Sequence, residues 1–181
     1  MRPLTGYNNA KASSDFERLP AGGYVIRITA VHDNDEEDKQ YLRIVYDIAE
    51  GPQKDRYKNE TADNDYRHAF IRSYKEKALG MFKAFIKAID ETNGTNFDSR
   101  IEKGFPEHEL VGKFLGVVFG YEEYEANDGN IKERLYVAKV TTDKKIREND
   151  FTVPELKKLK PKAKNAIPEG FTALADEDLP F

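Results

Sequence analysis

Between Leu110 and Tyr121 a glycine returns at every fourth position, at Gly112, Gly116 and Gly120, inside a run otherwise rich in Leu, Val and Phe. Glycine weakens a strand because it has nothing to pack, so its use there is to bend the strand or admit another backbone. Small closed barrels require both. Asn127-Asp128-Gly129-Asn130 follows and is a strong hairpin-turn signal. Ile131 through Thr142 then reads as the returning strand, with Leu135-Tyr136-Val137-Ala138-Lys139-Val140 at its centre. This half of the chain is therefore committed to a bent antiparallel pair.

The first half repeats the theme. Residues 1–20 mix Asn, Ser, Lys and Gly without periodicity and read as an irregular arm that ends in the Leu19-Pro20-Ala21-Gly22-Gly23 turn. Tyr24 to Val31 is rich in β-branched residues and predicts a strand. The acidic stretch Asp33-Asn34-Asp35-Glu36-Glu37-Asp38 is a loop tip, and Tyr41 to Ile48 returns as a second strand. On it Leu42, Ile44, Tyr46 and Ile48 share one face, with Tyr41, Arg43 and Val45 on the other. Arg67 to Tyr74 predicts a third strand. Beyond it Ala78, Leu79, Met81, Phe82, Phe85, Ile86 and Ile89 recur at three- and four-residue steps, with lysines between them. That spacing predicts an amphipathic helix of about 18 residues, stopped by Asn93-Gly94.

The predicted order is three strands, a helix, two strands and a tail. The expected fold is mainly β with one or two helices, a five-stranded antiparallel barrel of OB-fold type (β-β-β-α-β-β) with a flexible C-terminal tail. A different sheet-plus-helix arrangement is the alternative. The division expected is an arm over 1–20, an OB-fold-like nucleic-acid-binding domain over 21–150, and a basic linker with an acidic tail over 151–181. From Thr152 the composition turns to lysine, at 157, 158, 160, 162 and 164, and no core residue is expected beyond about Thr142.

Charge and composition narrow the function. No apolar run approaches the roughly 18 residues of a membrane span, and the N-terminus carries no signal-peptide apolar region, so a cytoplasmic protein with no membrane partner is expected. With no cysteine there is no disulfide or thiolate chemistry. His32, His68 and His108 are far apart, read as surface or edge residues, and lack metal-ligand spacing, so neither metal nor cofactor is expected. The net charge of −4 argues against nucleic acid only until its distribution is considered. Four acids and no bases lie from Glu169 onward, which leaves 29 bases against 29 acids ahead of them. Enzyme chemistry has little to stand on. Glu107, Glu109, Glu122 and Glu123 could serve a metal-dependent nuclease, but there is no phosphate-cradling glycine loop with lysine, no nucleophile elbow and no histidine pair.

The last six residues, Asp176-Glu177-Asp178-Leu179-Pro180-Phe181, set an apolar tip behind three acids. Charge can steer such a segment and a phenyl ring can fill a partner's pocket, although many chain ends are simply frayed. The tip resembles the acidic, Pro-Phe-ended tail of bacterial and phage single-stranded DNA-binding proteins. The stretch Lys75 to Ile86, the strand from Leu110 to Tyr124 with its Asn127-Asp128-Gly129 turn, and Lys145-Ile146-Arg147-Glu148 are similar to a family of phage and prophage proteins found among replication and recombination functions. This likeness spans about Leu19 to Leu159. It implies a non-catalytic single-stranded DNA-binding protein in a bacterial host cell that recruits replication or recombination proteins through residues 176–181. A dimer or tetramer of identical chains is compatible with it. The alternative is an interaction module of that machinery that binds no DNA.

Single strands are held by bases that follow the phosphates and by aromatic faces on which nucleobases stack. The candidates are Tyr41 and Arg43 on the second strand; Arg67, Phe70, Arg72 and Tyr74 on or beside the third; and Arg134, Tyr136 and Lys139 on the fifth. Arg43, Tyr41, Arg72 and Tyr74 rank first, because the face of strands two and three is the usual OB-fold binding surface. Tyrosine is also an ordinary strand former and arginine an ordinary solubilising residue, so each position taken singly has a structural alternative.

Overall fold

The computed structural model describes residues 18–36, 38–60 and 66–159, with Pro3 alone ahead of them. Five strands form one antiparallel sheet: β1 (Gly22–Asn34), β2 (Tyr41–Ile48), β3 (Ala69–Ser73), β4 (Phe114–Glu125) and β5 (Ile131–Thr141), in the order β3-β2-β1-β4-β5. The principal helix, α1 (Leu79–Asn93), lies between β3 and β4, followed by the short α2 (Phe97–Arg100). A third, α3 (Asp143–Arg147), comes after β5. The protein is mainly β, as the alternating patterns predict.

β1 is the central strand of the sheet, with β2 on one side and β4 on the other. Its first half, Gly22 to Arg27, pairs with β4. The stretch from Ile26 to Asn34 pairs with β2. The register shifts between Ile28 and Ala30, and a bulge of this kind bends a strand and increases its twist. One strand thus leaves the β4 pairing and enters the β2 pairing as the sheet curls.

The curled face is filled by Ile26, Ile28, Leu42, Ile44, Tyr46, Ile48, Phe70, Leu115, Val117 and Phe119. Phe82, Phe85, Ile86 and Ile89 come down onto it from α1, which touches both edge strands, β3 and β5, as well as β4. Each large side chain fully buried there contributes about 1.5–3 kcal/mol. A 3-10 turn at Glu76–Ala78 precedes α1, and Gly94 in the left-handed conformation (φ 64°) ends it, with its N–H bonded to the Asp90 carbonyl. Glycine takes that conformation at the least steric cost.

Three expectations are corrected. Leu19 is buried in the core and its carbonyl accepts a 2.7 Å bond from the Tyr121 hydroxyl, so the folded body begins before residue 21. Ile146 on α3 is buried with Val25 and Val118, and Phe151 packs against them. The core therefore extends past Thr142. The segment 151–159 is not a free linker: Lys157 donates its N–H to the Tyr121 carbonyl and accepts from the Glu123 N–H, both at 3.0 Å. This adds a single parallel bridge to β4 beyond the point where β1 begins. Residues 160–181, including the acidic tip, lie outside the described residues. Among the described residues no helix is long and apolar enough to cross a membrane.

Candidate nucleic-acid interface

Cross-strand pairing sorts the side chains of β1, β2 and β3 onto two faces. On the outer face Asn34, Tyr41 and Ser73 form one transverse row and His32, Arg43 and Ile71 the next. A third row holds Ala30, Val45 and Ala69. On the inner face Val31, Ile44 and Phe70 are aligned, as are Asp33, Leu42 and Arg72. Directly paired side chains lie on the same side of a sheet. Tyr41 and Arg43 therefore face outward together, as their alternation with Leu42 and Ile44 predicts.

Phe70, Arg72 and Tyr74 do not join them. Phe70 is a core residue, its ring 6.0 Å from that of Tyr46 and edge-on to Phe85 at 6.3 Å, so neither face is open to a base. Arg72 folds over it, with the guanidinium 4.8 Å from the Phe70 centroid and Nη1 donating to the Ile71 carbonyl. Burial pushes the Arg72 pKa down, and its Nε is covered without a hydrogen-bond partner. Tyr74 spans from the end of β1 to α1. Its hydroxyl donates to the Asp33 carboxylate at 2.7 Å, and its ring meets Phe82 edge-on at 5.7 Å. Partial burial, then the bond and charge of Asp33, push its pKa up. These three hold the edge of the sheet together rather than offering a surface.

Arg67 is exposed beside the sheet, 3.8 Å from Glu60, with its guanidinium over the ring of Tyr66. Arg134, Tyr136 and Lys139 lie on the outer face of β5, opposite Glu122, Gly120 and Val118 respectively. Arg134 is paired with Glu122 at 2.8 Å and stacks over Tyr124. Tyr136 lies across Gly120, where an added Cβ would overlap the ring of Pro154, and Lys157 sits 5.5 Å above the Tyr136 centroid. The 151–159 segment thus already occupies the surface beside Tyr136. Lys139 stays exposed.

The outer face of β1–β2–β3 also holds residues that composition did not single out. His32 is exposed, and Ile71 is 53% exposed in the middle row between strands. The phase of β3 could have revealed Ile71, since placing Phe70 in the core puts its neighbour outside. His68, read as a surface or edge residue, is instead buried, its ring edge-on to Tyr57 at 4.6 Å. One end of the face meets the acidic β1–β2 tip, where Lys39 pairs with Glu36 and Lys75 reaches the Asp38 carbonyl.

Three of the four carboxylates with catalytic interest, Glu109, Glu122 and Glu123, are engaged elsewhere. Glu109 makes a two-pronged pair with Arg100 at 2.6 and 2.9 Å, which holds its pKa below the usual range. Glu122 is shared by Arg134 and Lys157, and Glu123 accepts from the Leu159 N–H. Among the described residues no group of three His, Asp or Glu side chains is placed to hold a metal ion.

A family model described as "Protein of unknown function (DUF669)" matches residues 5–161. No curated protein matches the chain.

Proposed function

We propose that this chain, which belongs to the DUF669 family, is a non-catalytic single-stranded DNA-binding protein of phage or prophage type. In this reading its body is an OB-fold barrel. The topology supports that: β1 divides between β2 and β4, and α1, which follows β3, packs against both edge strands. The observation that carries the function is the outer face of β1–β2–β3, where Tyr41 and Arg43 lie in adjacent rows with His32 and Ile71 exposed beside Arg43. An aromatic, a cation and an apolar side chain side by side suit stacked bases and a tracked phosphate. No base-reading pattern accompanies them, so little sequence preference is expected.

The tip Asp176 to Phe181 is assigned to recruiting replication or recombination proteins, its acids steering and its phenyl ring docking. A cytoplasmic site in the bacterial host follows from this role. The second reading, an interaction module that binds no DNA, uses the same exposed Ile71 and the same tip. Titration with poly(dT) separates the two, because the protein has ten tyrosines and no tryptophan, so tyrosine emission is unobscured. The first reading expects quenching and a mobility shift that weakens with salt, without cleavage when Mg²⁺ is added. Unchanged emission with no shift favours the second, and Mg²⁺-dependent degradation overturns both.

A further inference from the structure

Tyr66 is the most exposed tyrosine or phenylalanine among the described residues, at 64%. It is nevertheless held in place. Tyr66, Arg67 and His68 form one 3-10 turn leading into β3. His68 pins that turn to the core, buried against Tyr57 and lying 6.3 Å from Tyr46. Arg67 is braced from the other side. Its guanidinium lies 5.8 Å from the Tyr66 centroid, Nε donates to the Tyr66 hydroxyl at 3.4 Å, and Nη1 is 3.8 Å from Glu60. The ring is thus exposed yet oriented, by a cation on one side and by an anchored turn beneath, and among the described residues no core side chain packs against it.

We infer that Tyr66 is a stacking platform for an unpaired nucleobase, with Arg67 placed to meet the adjoining phosphate. This rests on the nucleic-acid reading above and extends it beyond the sheet. Ala69, which is two residues beyond Arg67, pairs with Val45 in the row next to His32, Arg43 and Ile71, so the turn leads directly into the strand that carries that face. Only a strand whose bases are free of their own stack can offer a face to such a ring, so the site selects single strands over duplex. The positive guanidinium beside the ring favours a polyanion over a neutral aromatic ligand.

The test uses the full-length chain with two fluorescent oligonucleotides of equal length, oligo(dT) and a fully abasic strand that keeps the phosphates. Tyr66→Ala is expected to weaken oligo(dT) binding by about 5- to 150-fold, the loss of one stacked base, and to leave abasic-strand binding unchanged. Tyr66→Phe keeps the ring and should bind as wild type. Arg67→Ala should weaken both strands, more at low salt than at high salt. Tyr66 is exposed, so an unchanged melting temperature of Tyr66→Ala confirms that folding is intact. Equal losses on the two strands, or no loss on oligo(dT), overturns the platform while leaving the wider reading standing. A wild-type protein that binds neither strand overturns both.

Discussion

Phe151 is the residue on which the attachment of the 151–159 segment can be tested most directly. Its ring is partly buried against Val25, Val118 and Ile146, and it lies on Gly23, where an added Cβ would overlap three ring carbons. Removing a fully buried phenylalanine costs about 3–5 kcal/mol. A half-buried ring should lose about half of that, so Phe151→Ala is expected to destabilise by about 2 kcal/mol. For a domain of this size that lowers the melting temperature by roughly 4–8 °C. Gly23 is not among the positive-φ glycines, so alanine suits its backbone, and the damage from Gly23→Ala must come from expelling the ring. That single substitution should cost about as much as Phe151→Ala. In the double variant the methyl group has no ring to displace, so the pair should cost little more than Phe151→Ala alone. The expected coupling is about 1.5–2 kcal/mol, within the range for residues in direct contact. Urea denaturation followed by far-UV circular dichroism measures all four species. Additive costs, or a Phe151→Ala loss below about 0.5 kcal/mol, would show that the ring does not rest on Gly23 in solution.

Phe70→Ala should cost about 3–5 kcal/mol of stability. Tyr41→Ala should leave stability intact and cost about 1–3 kcal/mol of single-strand binding; denaturation and titration of the same samples separate the two. Arg43→Ala should reduce the salt dependence of binding by roughly 0.7 in log–log slope, the signature of one lost phosphate contact, read from titrations across a salt series. Burial raises the Glu122 pKa, but the bonds from Lys157 and Arg134 outweigh it and hold the carboxyl below its ordinary 4.5. A depressed carboxylate contributes stability that is full above the unfolded value and disappears as pH falls through the folded one. The stability gap between wild type and Glu122→Gln should therefore close below about pH 4.5, as pH-dependent unfolding would reveal. Deleting Asp176 to Phe181, or replacing Phe181 with alanine, should abolish recovery of replication or recombination proteins in pull-downs, while Phe181→Ala leaves DNA affinity unchanged.

The strands and the main helix were legible because each carries more than one full period. Leu42, Ile44, Tyr46 and Ile48 all lie in the core as alternation requires, and the helix stops at Gly94. β3 has only five residues, with arginine just before it and within it, so its phase was ambiguous. The ring of Phe85, brought in by α1, decides that Phe70 points inward. The glycines at 116 and 120 announce a close approach, which is by another backbone at Gly116 and by side-chain rings at Gly120. What approaches, the Thr142 carbonyl and the Pro154 ring, comes from well beyond the strand itself. The 151–159 segment was misread because lysine content describes side chains, whereas Lys157 is attached through its backbone N–H and carbonyl, which leave no mark in composition.

Side-chain chemistry divides the outer side of the sheet into two regions with different requirements. Near β4 the outward positions are Val25 and Val118, apolar groups that water disfavours, so α3 and Phe151 must cover them. Further along β1 the outward rows are Asn34, Tyr41 and Ser73, then His32, Arg43 and Ile71. His32 and Ile71 are exposed there while Asn34, Tyr41, Arg43 and Ser73 are half-buried, and a single isoleucine among them is tolerable in water. The fold can therefore leave that region open at little cost in stability. On the proposed reading a polyanionic strand would use such a surface, one that is stable when empty and offers rings and cations when occupied. The bend in β1 between Ile28 and Ala30 marks where the first region gives way to the second.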